Sequence, residues 1–123
     1  MLINLSNHPS VSWSKKQTNA AINQFGKIVD FPFPKVDPEF GLDEVQDLAQ
    51  KIFSQVLEKY GNQEVKIHLM GELSLVYQLL LLFKEKDILC YVSTSHRTVE
   101  ELENGSKNVR FNFIKFRSYF MRE

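Results

Sequence analysis

Apolar positions along the chain follow two rhythms that alternate from its start. Residues 2–5 open on a short strand-like run, and Ser14-Lys15-Lys16-Gln17 then has the spacing of a capping box, with Gly26 placed as a C-terminal cap. The helix between them is expected to turn Ala21, Ile22 and Phe25 inward. Residues 27–31 supply a second strand. Pro32, Pro34 and Pro38 force an extended loop, because proline lacks an N–H and disfavours helix in the residue before it. From Leu42 through Val45, Leu48, Ala49, Ile52, Phe53, Val56 and Leu57 to Tyr60 the apolar spacing is that of an amphipathic helix, and Gly61 ends it. A third strand at 65–69 leads through Gly71 into 73–83, a helix apolar nearly all round. That pattern implies burial on more than one side, beneath other elements or in a subunit interface.

A fourth strand at 88–92 is followed by a change of rhythm. Asn104-Gly105 is a turn signal, and Val109, Phe111 and Phe113 alternate with Arg110 and Asn112. The alternation slips at Ile114, so a bulge is expected near Phe113 and Ile114 in a β-hairpin over 98–116. These elements predict an α/β fold: a parallel β-α-β-α-β-α-β core with helices on both faces and a C-terminal antiparallel hairpin on one edge.

At 123 residues, 43% hydrophobic and 24% charged, the chain reads as one domain over 1–123. The formal net charge of zero removes the broad basic field of a protein that coats long nucleic acid. Charge is nonetheless blocked: residues 37–47 hold five acids and no base, and 107–122 hold five bases and no acid, as solvated faces do. The single Cys90 lies in an apolar run and has no internal disulfide partner, which fits a reducing cytoplasm. The apolar stretch 73–83 is too short to span a bilayer, and no signal peptide is expected at the amino end.

In an open α/β sheet ligands bind outside the carboxyl ends of the strands, so three polar segments there carry the candidate chemistry. The first offers Asn7, His8 and Ser10, the second Gly71 and Glu72, and the third Ser93, Thr94, Ser95 and Arg97. Hydroxyls and a guanidinium fork suit phosphate oxygens. Gly71 before a helix suits a tight turn or an anion site, and Glu72 suits the helix dipole or a ribose hydroxyl. Trp13 suits packing at the head of the first helix ahead of stacking on a base, Asp30 is a weak candidate for holding a ribose, and His68 is left inside an apolar strand. No histidine pair has metal spacing, so neither a metal site nor a cofactor is expected. The chain has no G-x-G-x-x-G after its first strand, no phosphate-binding G-x-x-x-x-G-K-[ST] and no G-x-S-x-G, which argues against dinucleotide oxidoreductases, P-loop enzymes and α/β-hydrolases.

Met70-Gly71-Glu72, a buried helix, Ser93-Thr94-Ser95-His96-Arg97, Gly105 and then Phe111-Asn112-Phe113-Ile114-Lys115-Phe116-Arg117-Ser118-Tyr119 resemble the small standalone CRISPR-associated ring nucleases of type III systems. Those proteins are related to the CRISPR-associated Rossmann fold, or CARF, domain. The resemblance spans 65–119. It implies a Rossmann-like CARF-type fold, a cytoplasmic homodimer without long nucleic acid or membrane as partner, and a cyclic oligoadenylate ligand, with cyclic tetra-adenylate the expected ring. It further implies cleavage to 2′,3′-cyclic phosphate products, with Arg97, Ser93, Ser95 and His8 catalytic and Asn7, Ser10, Gly71, Glu72 and Thr94 binding. Arg97 would hold non-bridging oxygens and His8 would protonate the leaving oxygen. The rival readings are a non-catalytic binder of the same messenger and an interaction module using an exposed Tyr119-Phe120-Met121 tail.

Overall fold

The computed structural model describes residues 1–122. Five strands form one sheet in the order β2-β1-β3-β4-β5, with β1 Leu2–Ser6, β2 Ile28–Pro32, β3 Lys66–Met70, β4 Cys90–Glu101 and β5 Lys107–Ser118. The first four are parallel and β5 returns antiparallel to β4. Helices α1 Lys15–Phe25, α2 Leu42–Tyr60 and α3 Leu73–Glu85 make the crossovers. Because the chain moves one way along the sheet after β1 and the other way after β2 and β3, right-handed crossovers put α1 on one face and α2 with α3 on the other.

Strand alternation divides the core accordingly. Ile3 and Leu5 of β1 and Ile67 and Leu69 of β3 pack with Val45, Ala49, Phe53 and Val56 of α2 and Leu75, Leu79 and Phe83 of α3. Phe53 meets Phe83 edge-on at 5.3 Å between ring centroids. On the opposite face Leu2 packs with Ala21, Phe113 and Phe116 beneath α1. Towards the carboxyl ends this second face turns polar: Asn4 and Ser6 of β1, Asp30 of β2 and His68 of β3 share its parity.

Several expectations need correction. Ile22 is half exposed, so α1 buries Ala21 but not Ile22; Leu42 is exposed at the start of α2. Helix α3 has one face buried within its own chain, and Leu73, Tyr77 and Leu81 form an exposed stripe at i, i+4, i+8 that no other element among the described residues covers. The hairpin begins well before residue 98: β4 runs unbroken through Ser93, Thr94, Ser95, His96 and Arg97, so these are strand residues and not a loop. Their pairing with β5 supplies the backbone partners that an isolated turn would lack. The expected bulge is present, since Thr94 pairs with Lys115 and Ser95 with Phe113, leaving Ile114 as the extra residue. The terminal aromatics fold back onto the body. Tyr119 Oη donates to the Leu69 carbonyl at 2.6 Å while its ring stays partly exposed, Phe120 packs on the core, and Met121 stands out in solvent. Among the described residues no helix is long and apolar enough to cross a membrane.

Candidate functional site

The topological switch lies between β1 and β3, where the crossovers diverge, and a cleft of about 400 Å³ opens there on the α1 side. Its walls come from four places. His8 follows β1; Ser12, Trp13, Ser14 and Gln17 form the amino end of α1; His68 and Met70 come from β3; and Ser93, Ser95 and Phe111 come from the hairpin. Ser14 caps α1, its hydroxyl accepting from the Gln17 N–H at 3.2 Å, so the positive end of the helix dipole faces this opening. Ser93 and Ser95 enter the cleft because strand residues two apart share a face. The same alternation carries Arg97, opposite Phe111, onto that face and sends Thr94 and His96 to the other. Thr94 accordingly donates to the Lys115 carbonyl at 3.2 Å across the hairpin.

Sheet register builds a polar row below the cleft. Asn4 lies beside Asp30 on β2 and beside His68 on β3, each at the same level. The Asn4 amide nitrogen donates to Asp30 Oδ1 and to the His8 carbonyl, both at 2.8 Å. Its oxygen accepts from Ser6 Oγ at 2.7 Å and meets His68 Nδ1 at 2.8 Å. Partial burial works against the charge on Asp30, but hydrogen bonds from Asn4 and Ser10 outweigh it and hold the carboxyl below its ordinary value. His68 is the opposite case. Burial, reinforced by the nearby His8, pushes its pKa down to about 4, and its Nε2 has no hydrogen-bond partner among the described residues. Trp13 stands edge-on to the His68 ring at 5.3 Å and donates through Nε1 to the His8 carbonyl at 3.1 Å.

Of the candidate residues, His8, Ser93 and Ser95 line the cleft together. Ser10 is engaged with Asp30 through its N–H at 3.1 Å and its hydroxyl at 2.9 Å. Asn7 faces a separate depression on the other side of the end of β1, with Asp30, Phe33 and Lys35. Glu72 is turned onto its own helix, where the carboxylate accepts from the N–H groups of Ser74 and Leu75 at 3.1 and 2.9 Å; those bonds and the Ser74 hydroxyl lower its pKa. Its charge therefore fills the amino end of α3. Gly71 is required by packing, since a Cβ there would lie 2.5 Å from the Phe33 ring. Nothing in the sequence singles out Asn4, His68 or Phe111 for a functional role, and for Trp13 it favours packing over base stacking. The available signal is that Asn4, Asp30 and His68 are each a polar residue flanked on both sides by apolar ones in a strand: Ile3 and Leu5, Val29 and Phe31, Ile67 and Leu69.

Residues 1–117 match a family described as "Uncharacterized protein MJ1673 family". The chain belongs to this family. The match takes in every cleft-lining segment, from His8 to the hairpin, so the site is built wholly from the family's own region. No curated protein and no solved structure matches the chain.

Proposed function

We propose that this protein binds cyclic oligoadenylate, cyclic tetra-adenylate above other rings, and cleaves it by metal-independent transesterification, ending type III CRISPR signalling. The resemblance of residues 65–119 to ring nucleases of those systems supplies the ligand class. The observation that carries the reading to this site is the cleft itself. Trp13 and Phe111 offer rings for a base, while Ser95 and the amino end of α1 offer donors for a phosphate, joined by Ser93 once its hydroxyl turns from Met70 Sδ, 3.0 Å away. Arg97 lies next along the same strand face.

In this reading a ribose 2′-oxygen attacks the adjacent phosphorus in line. The O2′–P bond forms as the 2′-hydroxyl gives its proton to solvent water, the P–O5′ bond breaks, and the 5′-oxygen leaves with a proton from His8, which solvent then restores. Arg97 holds the non-bridging oxygens, with Ser93 and Ser95 orienting them. At about 400 Å³ the cleft is near the lower end of the roughly 300 to 1,000 Å³ typical of ligand sites, enough for part of a tetranucleotide ring. A C2 homodimer would divide such a ring between two equal clefts, and the exposed Leu73, Tyr77 and Leu81 stripe is an apolar face fitted to close one. Trp13 is the sole tryptophan, so intrinsic fluorescence reports occupancy of the cleft directly. The test is titration with cyclic tri-, tetra- and hexa-adenylate in EDTA, with products resolved by mass spectrometry. A fluorescence change and products ending in 2′,3′-cyclic phosphate are expected. Absence of both with all three rings would refute the function, and linear phosphate ends appearing only with added metal would refute the mechanism.

A further inference from the structure

The polar row beneath the cleft is satisfied at every atom but one, and the order of its bonds identifies which. An ionised Asp30 can only accept, so the Asn4 amide nitrogen must face it, as it does at 2.8 Å. The Asn4 oxygen then faces His68, and Nδ1 at 2.8 Å must carry the proton. Nε2 is left as a bare lone pair on a side chain only 1% exposed, without a donor among the described residues. Burial keeps this imidazole neutral at physiological pH, so the lone pair is always present. A buried acceptor left unpaired costs free energy and calls for a partner.

We infer that His68 Nε2 is the atom that reads the base of a bound nucleotide, accepting a hydrogen bond from an exocyclic amine such as N6 of adenine. This rests on the nucleotide-binding reading above and adds to it the element of base specificity. The surroundings suit a flat amino-substituted ring: His68 lines the cleft, Phe116 stands edge-on to it at 5.5 Å, and Trp13 is tethered at its polar edge to the His8 carbonyl. A base reaches Nε2 by displacing the edge of Trp13, the half-buried part of this wall. The acceptor also selects by exclusion. Guanine and uracil turn a carbonyl towards a probe that meets adenine at N6, and two acceptors cannot pair. His68 is a specificity residue here, since its lowered basicity suits accepting a hydrogen bond better than removing a proton.

The test compares cyclic tetra-adenylate with the same ring built from purine lacking the 6-amino group, each titrated by calorimetry and Trp13 fluorescence. Wild-type protein is expected to bind the adenine ring at least about tenfold more tightly. In His68→Phe, which keeps a flat ring but no acceptor, the two rings should bind alike. In ¹⁵N-labelled wild-type protein the His68 Nε2 resonance should move with the adenine ring and stay in place with the amine-free one. That measurement decides the matter even where His68→Phe does not fold. Equal wild-type affinity for the two rings, a preference that survives in His68→Phe, or an unmoved Nε2 resonance would each overturn the inference and leave ring binding intact. Failure of wild-type protein to bind either ring would overturn both it and the function it rests on.

Discussion

His68 and Asn4 are opposite solutions to burying a polar side chain. Asn4 makes four hydrogen bonds and is 2% exposed, so its burial is compensated, whereas His68 is compensated on one side only. Two predictions belong at this scale. Asn4→Ala removes the partner of Asp30 and of His68 Nδ1 together, and should destabilise the fold by more than about 2 kcal/mol in denaturant unfolding. Asn7→Ala, at an exposed neighbour, should stay within about 0.5 kcal/mol. The second concerns pH. His68 has a folded pKa of about 4 against an ordinary 6.5, so as pH falls the unfolded chain takes up the proton first. Its contribution is therefore complete above about pH 6.5 and drains away as pH drops towards 4, by up to about 3 kcal/mol. Unfolding curves at pH 7, 5.5 and 4.5 check this, and His68→Phe should flatten the slope in that window. Asp30, whose pKa is lowered from 3.8, loses its contribution only at more acid pH.

The elements sort side chains by their repeat. β4 places Ser93, Ser95 and Arg97 on the cleft face and Thr94 and His96 on the other, which turns a contiguous polar segment into two separate sets. Under the proposed function Arg97→Ala should weaken cyclic tetra-adenylate binding by about 1.5 to 3 kcal/mol, roughly ten- to a hundredfold, while His96→Ala leaves it nearly unchanged. Calorimetry on the two variants decides, and equal effects would remove the strand face from the site. Much of this was readable from the letters: the capping box at Ser14, the Gly61 stop, the Asn104-Gly105 turn and the bulge at Ile114 all depend on local chemistry. The passage of β4 through Ser93 to Arg97 was not. A polar stretch of mixed hydroxyls reads as a turn until a second strand is available to satisfy its backbone.

For the whole molecule, the unbalanced feature is α3. A helix that exposes Leu73, Tyr77 and Leu81 after burying Leu75, Leu79 and Phe83 presents apolar surface with no covering element among the described residues. The protein is expected to be a dimer at micromolar concentration in the presence of ligand, and Tyr77→Glu with Leu81→Lys should shift it to monomer without loss of helicity. Light scattering of the wild-type chain that shows monomer alone would exclude this use of the face.

Periodicity, caps and prolines establish the order and kind of the elements, because those depend on neighbours three or four residues away and on backbone geometry each residue carries with it. They also establish which edge of the sheet to inspect. The polar row that reaches the cleft wall at His68 is another matter. Asn4, Asp30 and His68 are separated by 26 and 38 positions, and they meet only because β2, β1 and β3 pair in one register. A shift of one residue would turn each to the opposite face. Long-range register has no local signature, so the bare Nε2 of His68 and the uncovered stripe on α3 emerge only when the strands and helices are set side by side.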